Sequence, residues 1–471
     1  MKLNRKFYED KVRACWIGKN IGGTMGGPYE GRTEMQDATT FVTPKGEPLP
    51  NDDLDLQILW LCAMEERGAA AINEKVLGEY WLNYVPAQWN EYGIAKRNMA
   101  MGIHPPYSGE YNNEKWRDSN GAWIRTEIWA CMFPAYPEFA TRYAFYDACV
   151  DHGTGEGTYA AIFVAAMESA AFFEKDVNKL IETGLSYIPE NCKLAQSVRL
   201  ACKLYEEKTD FKEARNKIVE ANKELGWFQA PGNVAFVILG LLYGEGDFKK
   251  SMIHAINCGD DTDCTGATIG SLMGIMYGTE GIPKDWTEYI GDRIITVAID
   301  RSYVFWPKTC EELTQRTLKL VPSALAVFGV YMEYTDGENE LEGLPIVKSP
   351  QLSLPESGLC LYFDGLIYSK GRVEFSKYRV VPGDEITLKF TFNNLMNDAR
   401  QIEISMDLPE GWTAERKTVS LMVDEVLRYK ESSAEVKIFV GEDVDFKNII
   451  KLCASTNARP TKSEISLIIW G

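Results

Sequence analysis

The hydrophobic pattern of this chain changes its period once, from about 3.6 residues to two, and no single layer of structure accommodates both. Up to about residue 330 the spacing is helical. Residues 192–207 (CKLAQSVRLACKLYEE) put Leu194, Val198, Ala201 and Tyr205 on one stripe, with charges opposite. The runs 155–173 (GEGTYAAIFVAAMESAAFF) and 234–243 (VAFVILGLLY) are apolar most of the way round, which predicts buried helices. Residues 265–277 (TGATIGSLMGIMY) read the same way, and their Gly, Ala and Ser content lets a neighbouring backbone come close. Between about 334 and 358 the texture turns polar and is punctuated by Pro and Gly, which marks a boundary. Beyond it the residues alternate: 385–392 (EITLKFTF), 402–408 (IEISMDL) and 463–469 (SEISLII), separated by turn signals such as Pro382-Gly383-Asp384 and Pro409-Glu410-Gly411. The expectation is a multidomain chain: an all-α domain over 1–340 and a small all-β sandwich over 355–471.

Charge narrows the partners. With 68 acidic against 50 basic residues the net charge is −18, which repels nucleic-acid backbones and anionic membranes. An anionic ligand then needs a local source of positive charge, and a bound divalent cation is one. Eleven cysteines occur without a CxxC pair, and several (Cys62, Cys131, Cys202) sit in apolar helical patterns as small core residues. The opening MKLNRKFYEDKVRAC lacks an apolar signal core, and no stretch is long enough to span a bilayer, so a reduced cytoplasmic location is expected.

Three histidines, His104, His152 and His254, stand at no metal-ligand spacing, which argues against a His-rich zinc site. The glycine run 18–31 (GKNIGGTMGGPYEG) is followed by no phosphate-loop lysine; Gly18, Gly22 and Gly26 at helical spacing suggest a tightly packed helix ending at Gly27-Pro28, with Glu30 just beyond. Carboxylates are more informative. Asn51-Asp52-Asp53 opens one helical pattern and Gly259-Asp260-Asp261-Thr262-Asp263-Cys264 opens another. Acidic residues there can cap helix starts, or the two junctions can converge on hard cations that prefer oxygen.

In order, the segments GKNIGGTMGGPYEG, NDDLDLQ, SNGAWIR, DHGTGEG, NCGDDTDCTGATIGSLMGIMYG and GIPKDW resemble the ADP-ribosylglycohydrolase family over about residues 10–300. The resemblance implies an all-α catalytic domain that binds two Mg²⁺ ions. It implies hydrolysis of the bond between the ribose anomeric carbon of ADP-ribose and an acceptor, on a small molecule or an ADP-ribosylated protein. By motif, the first metal segment falls on Asn51, Asp52 and Asp53, and the second on Asp261, Asp263 and Cys264. Glu30, Asp53 and Asp261 take the catalytic positions; Asn120, Gly121, Arg125, His152 and Gly259 fall where the family contacts its ligand. Two positions depart from the pattern. Asn51 replaces a hydroxyl but keeps an amide oxygen, and Cys264 puts a thiol where hard Mg²⁺ favours oxygen, with Thr262 or Thr265 as the nearby substitutes.

The tail, with RVVPGDEITLKFTFNN and DLPEGWTAE, looks like the Ig-like domains of some sugar-processing enzymes; its Trp412 is either a stacking surface or a core residue. Two further readings stay open: a metal-dependent glycosidase or nucleosidase on a substrate other than ADP-ribose, and a non-catalytic ADP-ribose or sugar binder.

Overall fold

The computed structural model describes the chain apart from Arg301, Val304, residues 342–359, Asp364, Tyr378, Asn397, residues 425–430 and residues 457–458. Most of the expected boundary segment therefore lies outside the described residues. The chain divides into two compact units, Met1–Leu352 and Ser353–Gly471.

The first unit is helical. In chain order its helices are α1 (Arg5–Gly26), α2 (Asp52–Arg67), α3 (Glu74–Tyr84), α4 (Asn90–Ala100), α5 (Glu127–Met132), α6 (Pro137–Asp151), α7 (Glu156–Ala171) and α8 (Val177–Leu185). They continue with α9 (Lys193–Glu206), α10 (Phe211–Asn222), α11 (Ala230–Gly244), α12 (Phe248–Asn257), α13 (Thr262–Tyr277), α14 (Lys284–Ile290) and α15 (Cys310–Ala326). One short parallel pair, β1 (Lys2–Asn4) with β2 (Glu333–Thr335), ties the start of the unit to its end. The apolar runs became buried helices, as their pattern requires: α7, α11 and α13 are covered nearly all round. Trp16, Trp60, Trp81, Trp123 and Trp129 are fully buried among them and supply much of the apolar core. Of the cysteines expected in the core, Cys62 and Cys131 are buried, whereas Cys202 is only partly covered. No helix among the described residues is long and apolar enough to cross a membrane.

α1 and α13 form the unit's closest helix pair. A Cβ on Gly18 would run into the Gly270 carbonyl, one on Gly22 into Gly266, and one on Gly26 into Thr262. Glycine on both partners lets the two backbones touch, which any larger side chain forbids. The ends of the pair are bonded as well. The Thr262 hydroxyl donates to the Gly26 carbonyl at 2.8 Å, and the buried Lys11 ammonium donates to the Ile275 and Met276 carbonyls near the end of α13.

Among the described residues the second unit holds two antiparallel sheets. One has the order β11 (Ser463–Trp470), β10 (Lys447–Ser455), β6 (Arg400–Asp407), β8 (Thr418–Val423). The other runs β3 (Cys360–Phe363), β4 (Ser369–Phe375), β5 (Glu385–Asn394), β9 (Ser432–Phe439), β7 (Thr413–Ala414). The period of two is realised: Ile386, Leu388 and Phe390 are buried on β5, and Ile402, Ile404 and Met406 on β6. Registers match apolar to apolar, as in Val373↔Phe390 and Ile404↔Ala454. Trp412 is buried, and its indole N–H points to the Asp443 carbonyl at 3.3 Å, so it serves a turn and not a surface platform.

Replacing Gly22 by Ala tests the helix contact. In an open helix the change gains about 1 kcal/mol; against the Gly266 carbonyl it is expected to lose about 1–3 kcal/mol instead. Urea unfolding reads the sign, and a stabilised variant would refute the backbone contact.

Candidate functional site

Because α1 and α13 touch, the chain leaving one and the chain entering the other run side by side. Gly31 N–H donates to the Asp260 carbonyl at 2.9 Å and Asp260 N–H to the Arg32 carbonyl at 2.7 Å. Arg215 clamps the two loops by donating to the Cys258 carbonyl at 2.9 Å and to the Thr33 carbonyl. Gly259 carries φ +78°, and a Cβ there would strike the Glu34 and Arg32 carbonyls. Its place in the ligand-contacting set gives way to a positional role, a left-handed turn under a crowding loop. The start of α2 arrives at the same point, since Gly23 leaves room for the Asn51 side chain and Asn51 N–H donates to the Ile295 carbonyl at 3.3 Å.

Two acid groups result. Asp53, Asp263 and Cys264 place one ligand atom each within 4.8 Å of one another, and so do Glu30, Asp261 and Asp263. Asp263 belongs to both. The capping account does not explain them. At α2 the cap is made by Asn51, whose oxygen accepts from Asp53 N–H at 2.8 Å; at α13 the Asp261 side chain makes no cap bond. One oxygen each of Asp53, Asp261 and Asp263 is buried with no hydrogen-bond partner among the described residues. Buried, unpartnered and mutually close carboxylate oxygens fit a divalent cation.

The charges show the same demand. Glu30, on the open side of the group, is pushed up to about 8, first by the negative charge of Asp263, then by burial and Asp52. Burial and then Asp263 push Asp52 up to about 6. Asp53 is raised by burial against the pull of Lys19, and Asp261 by burial and then Asp263. Asp52 thus shares the field of the centre without entering either three-residue group, and its carboxylate accepts from the Tyr92 hydroxyl at 3.4 Å. Asn51, expected among the ligands, is engaged as the α2 cap.

Behind the acids lies a buried frame that the sequence reading missed. Lys19 of α1 pairs with Glu127 of α5 at 2.6 Å, both fully buried. Burial works against the Lys19 charge, and Glu127 and Asp53 outweigh it, holding the ammonium above its ordinary range. Gln57 of α2 donates to the Asp53 carbonyl and to Glu127, both at 2.8 Å. On the α13 side, Asn120 donates to Asp261 at 2.6 Å and accepts from the Trp123 indole at 3.0 Å. Asn233 accepts from Asp261 N–H at 3.3 Å. Asn120, expected at the ligand, is therefore a holder of Asp261. Available signals were a lysine set among Gly18 and Gly22, and polar Gln57 and Asn233 opening apolar helices.

Arg125, Gly121 and His152 form a separate buried knot. Arg125 donates to Asp147 at 2.9 Å, to Asp151 at 2.7 Å and to the Gly121 carbonyl, and lies over the Trp81 ring. With four of its five N–H donors engaged and no exposed surface, Arg125 is held as a buried cation of the frame. A Cβ on Gly121 would collide with Glu91, so this glycine makes room. His152 lies between Ser119 Oγ, 3.2 Å from Nε2, and Asp151, 2.9 Å from Nδ1. Burial works against its charge, and Asp151 raises its proton affinity on balance. All three side chains of that set are fully buried, so the Ser-His-Asp order there offers no accessible nucleophile.

The fold and the acid groups together define a class: a helical domain in which carboxylates from two helix starts and a loop converge in groups that fit a cation. A family model for ADP-ribosylglycohydrolase matches residues 4–317, and the chain belongs to that family. An uncharacterised protein of Archaeoglobus fulgidus is 22% identical over 305 residues, 60% of this chain and 93% of that protein. ADP-ribosylarginine hydrolase Tri1 of Pseudomonas putida is 35% identical over 52 residues, 11% of this chain and 14% of that enzyme. A solved ADP-ribosylglycohydrolase-related protein complex covers 68% of this chain and 99% of its own, at 20% identity and a TM-score of 0.47.

Two outcomes test this centre. Lys19→Met leaves Glu127 buried without its cation, and chemical unfolding is expected to show a loss of about 3–5 kcal/mol. The second is a pH dependence. Asp52 and Glu30 titrate near 6 and 8 in the fold against ordinary values of 3.8 and 4.5, so their protonated forms favour the folded state. That contribution is complete at acidic pH, below the ordinary values, and is lost as pH rises through about 6 and 8. Melting temperature in chelator should therefore fall over this range, and added divalent cation should restore more of it at the alkaline end. An equal cation effect at every pH would contradict the assignment.

Proposed function

We propose that this chain is a metal-dependent hydrolase that cleaves the N- or O-glycosidic bond between ADP-ribose and an acceptor, on a small molecule or an ADP-ribosylated protein. The observation that carries the reading is the pair of acid groups sharing Asp263, set at the facing starts of α2 and α13 in a chain of this family. Divalent cations, two in this reading with Mg²⁺ the expected ion, supply the positive charge that orients sugar hydroxyls and makes a water acidic. Asp53, Asp261 and Asp263 hold that charge, with Asp52 adding to the field.

Glu30 stands on the open side, the one exposed residue among these acids, and is the group placed to move a proton at its carboxyl oxygen. Cleaving a ribosidic bond builds positive charge at the anomeric carbon and negative charge on the departing atom. With cations in place Glu30 is a carboxylate at the open edge of the group, and it serves as the base that takes the proton of the attacking water. Neither nucleic acid nor a membrane is a partner in this reading, given the net charge of −18.

The experiment is release of free ADP-ribose from arginine-, serine- and acetyl-linked ADP-ribosyl substrates, with Mg²⁺ and with chelator. Release is expected on at least one linkage, abolished by chelator and by Asp261→Ala. Glu30→Gln should lower kcat/KM by about 10²–10⁴-fold, the usual worth of acid–base help. Turnover that survives complete chelation would overturn the reading. Hydrolysis of simple glycosides alone would move the substrate class, and tight binding without turnover would make the chain a binder.

A further inference from the structure

We propose that the two cation positions differ in kind, and that the one formed by Asp53, Asp263 and Cys264 takes a thiophilic divalent ion of the zinc, cobalt and ferrous class, with Cys264 bound as thiolate. This rests on the metal-centre reading given above and goes beyond it by assigning an ion class to each position.

The donor sets carry the argument. Glu30, Asp261 and Asp263 offer oxygen alone, the chemistry of Mg²⁺ or Mn²⁺. The neighbouring group offers two carboxylates and a sulfur, with ligand atoms within 4.8 Å of one another. Cys264 is 4% exposed, and its sulfur lies 3.6 Å from one oxygen of Asp53. The thiol donates to that oxygen, and the other oxygen of the fully buried Asp53 has no partner among the described residues, so this pocket holds an open carboxylate oxygen beside the sulfur. Sulfur filling a hydrophobic gap would need no such neighbours.

The two nearby hydroxyls are directed to backbone carbonyls. The Thr262 hydroxyl is turned to the Gly26 carbonyl at 2.8 Å, where it closes the α1–α13 contact, and the Thr265 hydroxyl donates to the Thr262 carbonyl at 3.3 Å. Releasing Thr262 would open the contact on which the loops depend. A hard ion would therefore meet a poor ligand in the sulfur, whereas zinc forms a bond of about 2.3 Å to thiolate. Binding breaks the S–H bond and forms the sulfur–metal bond, and the thiol proton leaves to solvent together with the proton that burial favours on Asp53. Asp263, common to both groups, links the soft position to the hard one.

The test uses the full chain, freed of metal by chelator and titrated with Co²⁺, reading bound cobalt by elemental analysis after dialysis and thiolate coordination by absorption. Wild type is expected to bind Co²⁺ with a near-ultraviolet sulfur-to-cobalt charge-transfer band, and Zn²⁺ should displace it while excess Mg²⁺ does not. Cys264→Ser should lose the band. It should also bind Zn²⁺ about 10-fold more weakly or worse, the least that even outer-shell losses cause. Bound cobalt without the band in wild type, or a band that persists in Cys264→Ser, overturns the inference and leaves the metal centre standing. Failure to bind any divalent ion would overturn the centre itself, and the inference with it.

Discussion

Everything at this site depends on the contact between α1 and α13, where glycine faces glycine and backbone meets backbone. A helix pair normally stands 8–10 Å apart, held off by side chains. With Gly18, Gly22 and Gly26 on one side and Gly266 and Gly270 on the other, that spacer is removed. Both helices end at the same place, one finishing where the other begins. Glu30 therefore emerges within reach of Asp261 and Asp263, although more than 200 residues separate them in sequence. Gly23, on a neighbouring face of α1, admits the Asn51 side chain and brings in the third contributor, the start of α2.

Magnitudes decide what the assembled acids are for. A carboxylate at a helix start gains about 0.3–1 kcal/mol from the dipole. Two like charges 4–5 Å apart cost about 3–4 kcal/mol at an effective dielectric of 20. Helix capping cannot offset several such pairs, and the cap at α2 is already made by Asn51. Without cations the crowding favours the protonated forms, which is the meaning of the raised Glu30, Asp52, Asp53 and Asp261. Cation binding replaces those protons with a stronger charge, and pH and metal become linked variables of one centre.

The parts of this arrangement that are local were legible in the sequence. Helical stripes, the change to period two, the Gly18-Gly22-Gly26 spacing and the acidic helix starts are short-range patterns, and each appears where it was expected. Family motifs added which acids converge, which spacing alone left open. Motif position did not reveal how the side chains are held. Arg125 and His152 occupy their motif positions but are fully buried against Asp147 and Asp151, which stand one turn apart on the same face of α6. Asn120 likewise spends its amide on Asp261. Lys19, Glu127 and Gln57 were missed because their significance lies in contacts between α1, α2 and α5, and no local pattern announces a pairing across 70 or more residues.

That buried frame explains why the repulsion among the acids persists instead of relaxing. Three carboxylates on a loop would swing apart and let water separate them. Here Asp53 stands on a helix whose first turn is tied through Gln57 and Glu127 to Lys19 on α1, and α1 is locked to α13 by backbone contact. Moving Asp53 away from Asp263 would break a buried ion pair, a loss of several kcal/mol, comparable with the repulsion it would relieve. Packing therefore holds the acids at the distance a cation needs before any cation arrives. The strain sits in the helix starts, the resistance in the ion pair behind them, and the glycine contact transmits one to the other.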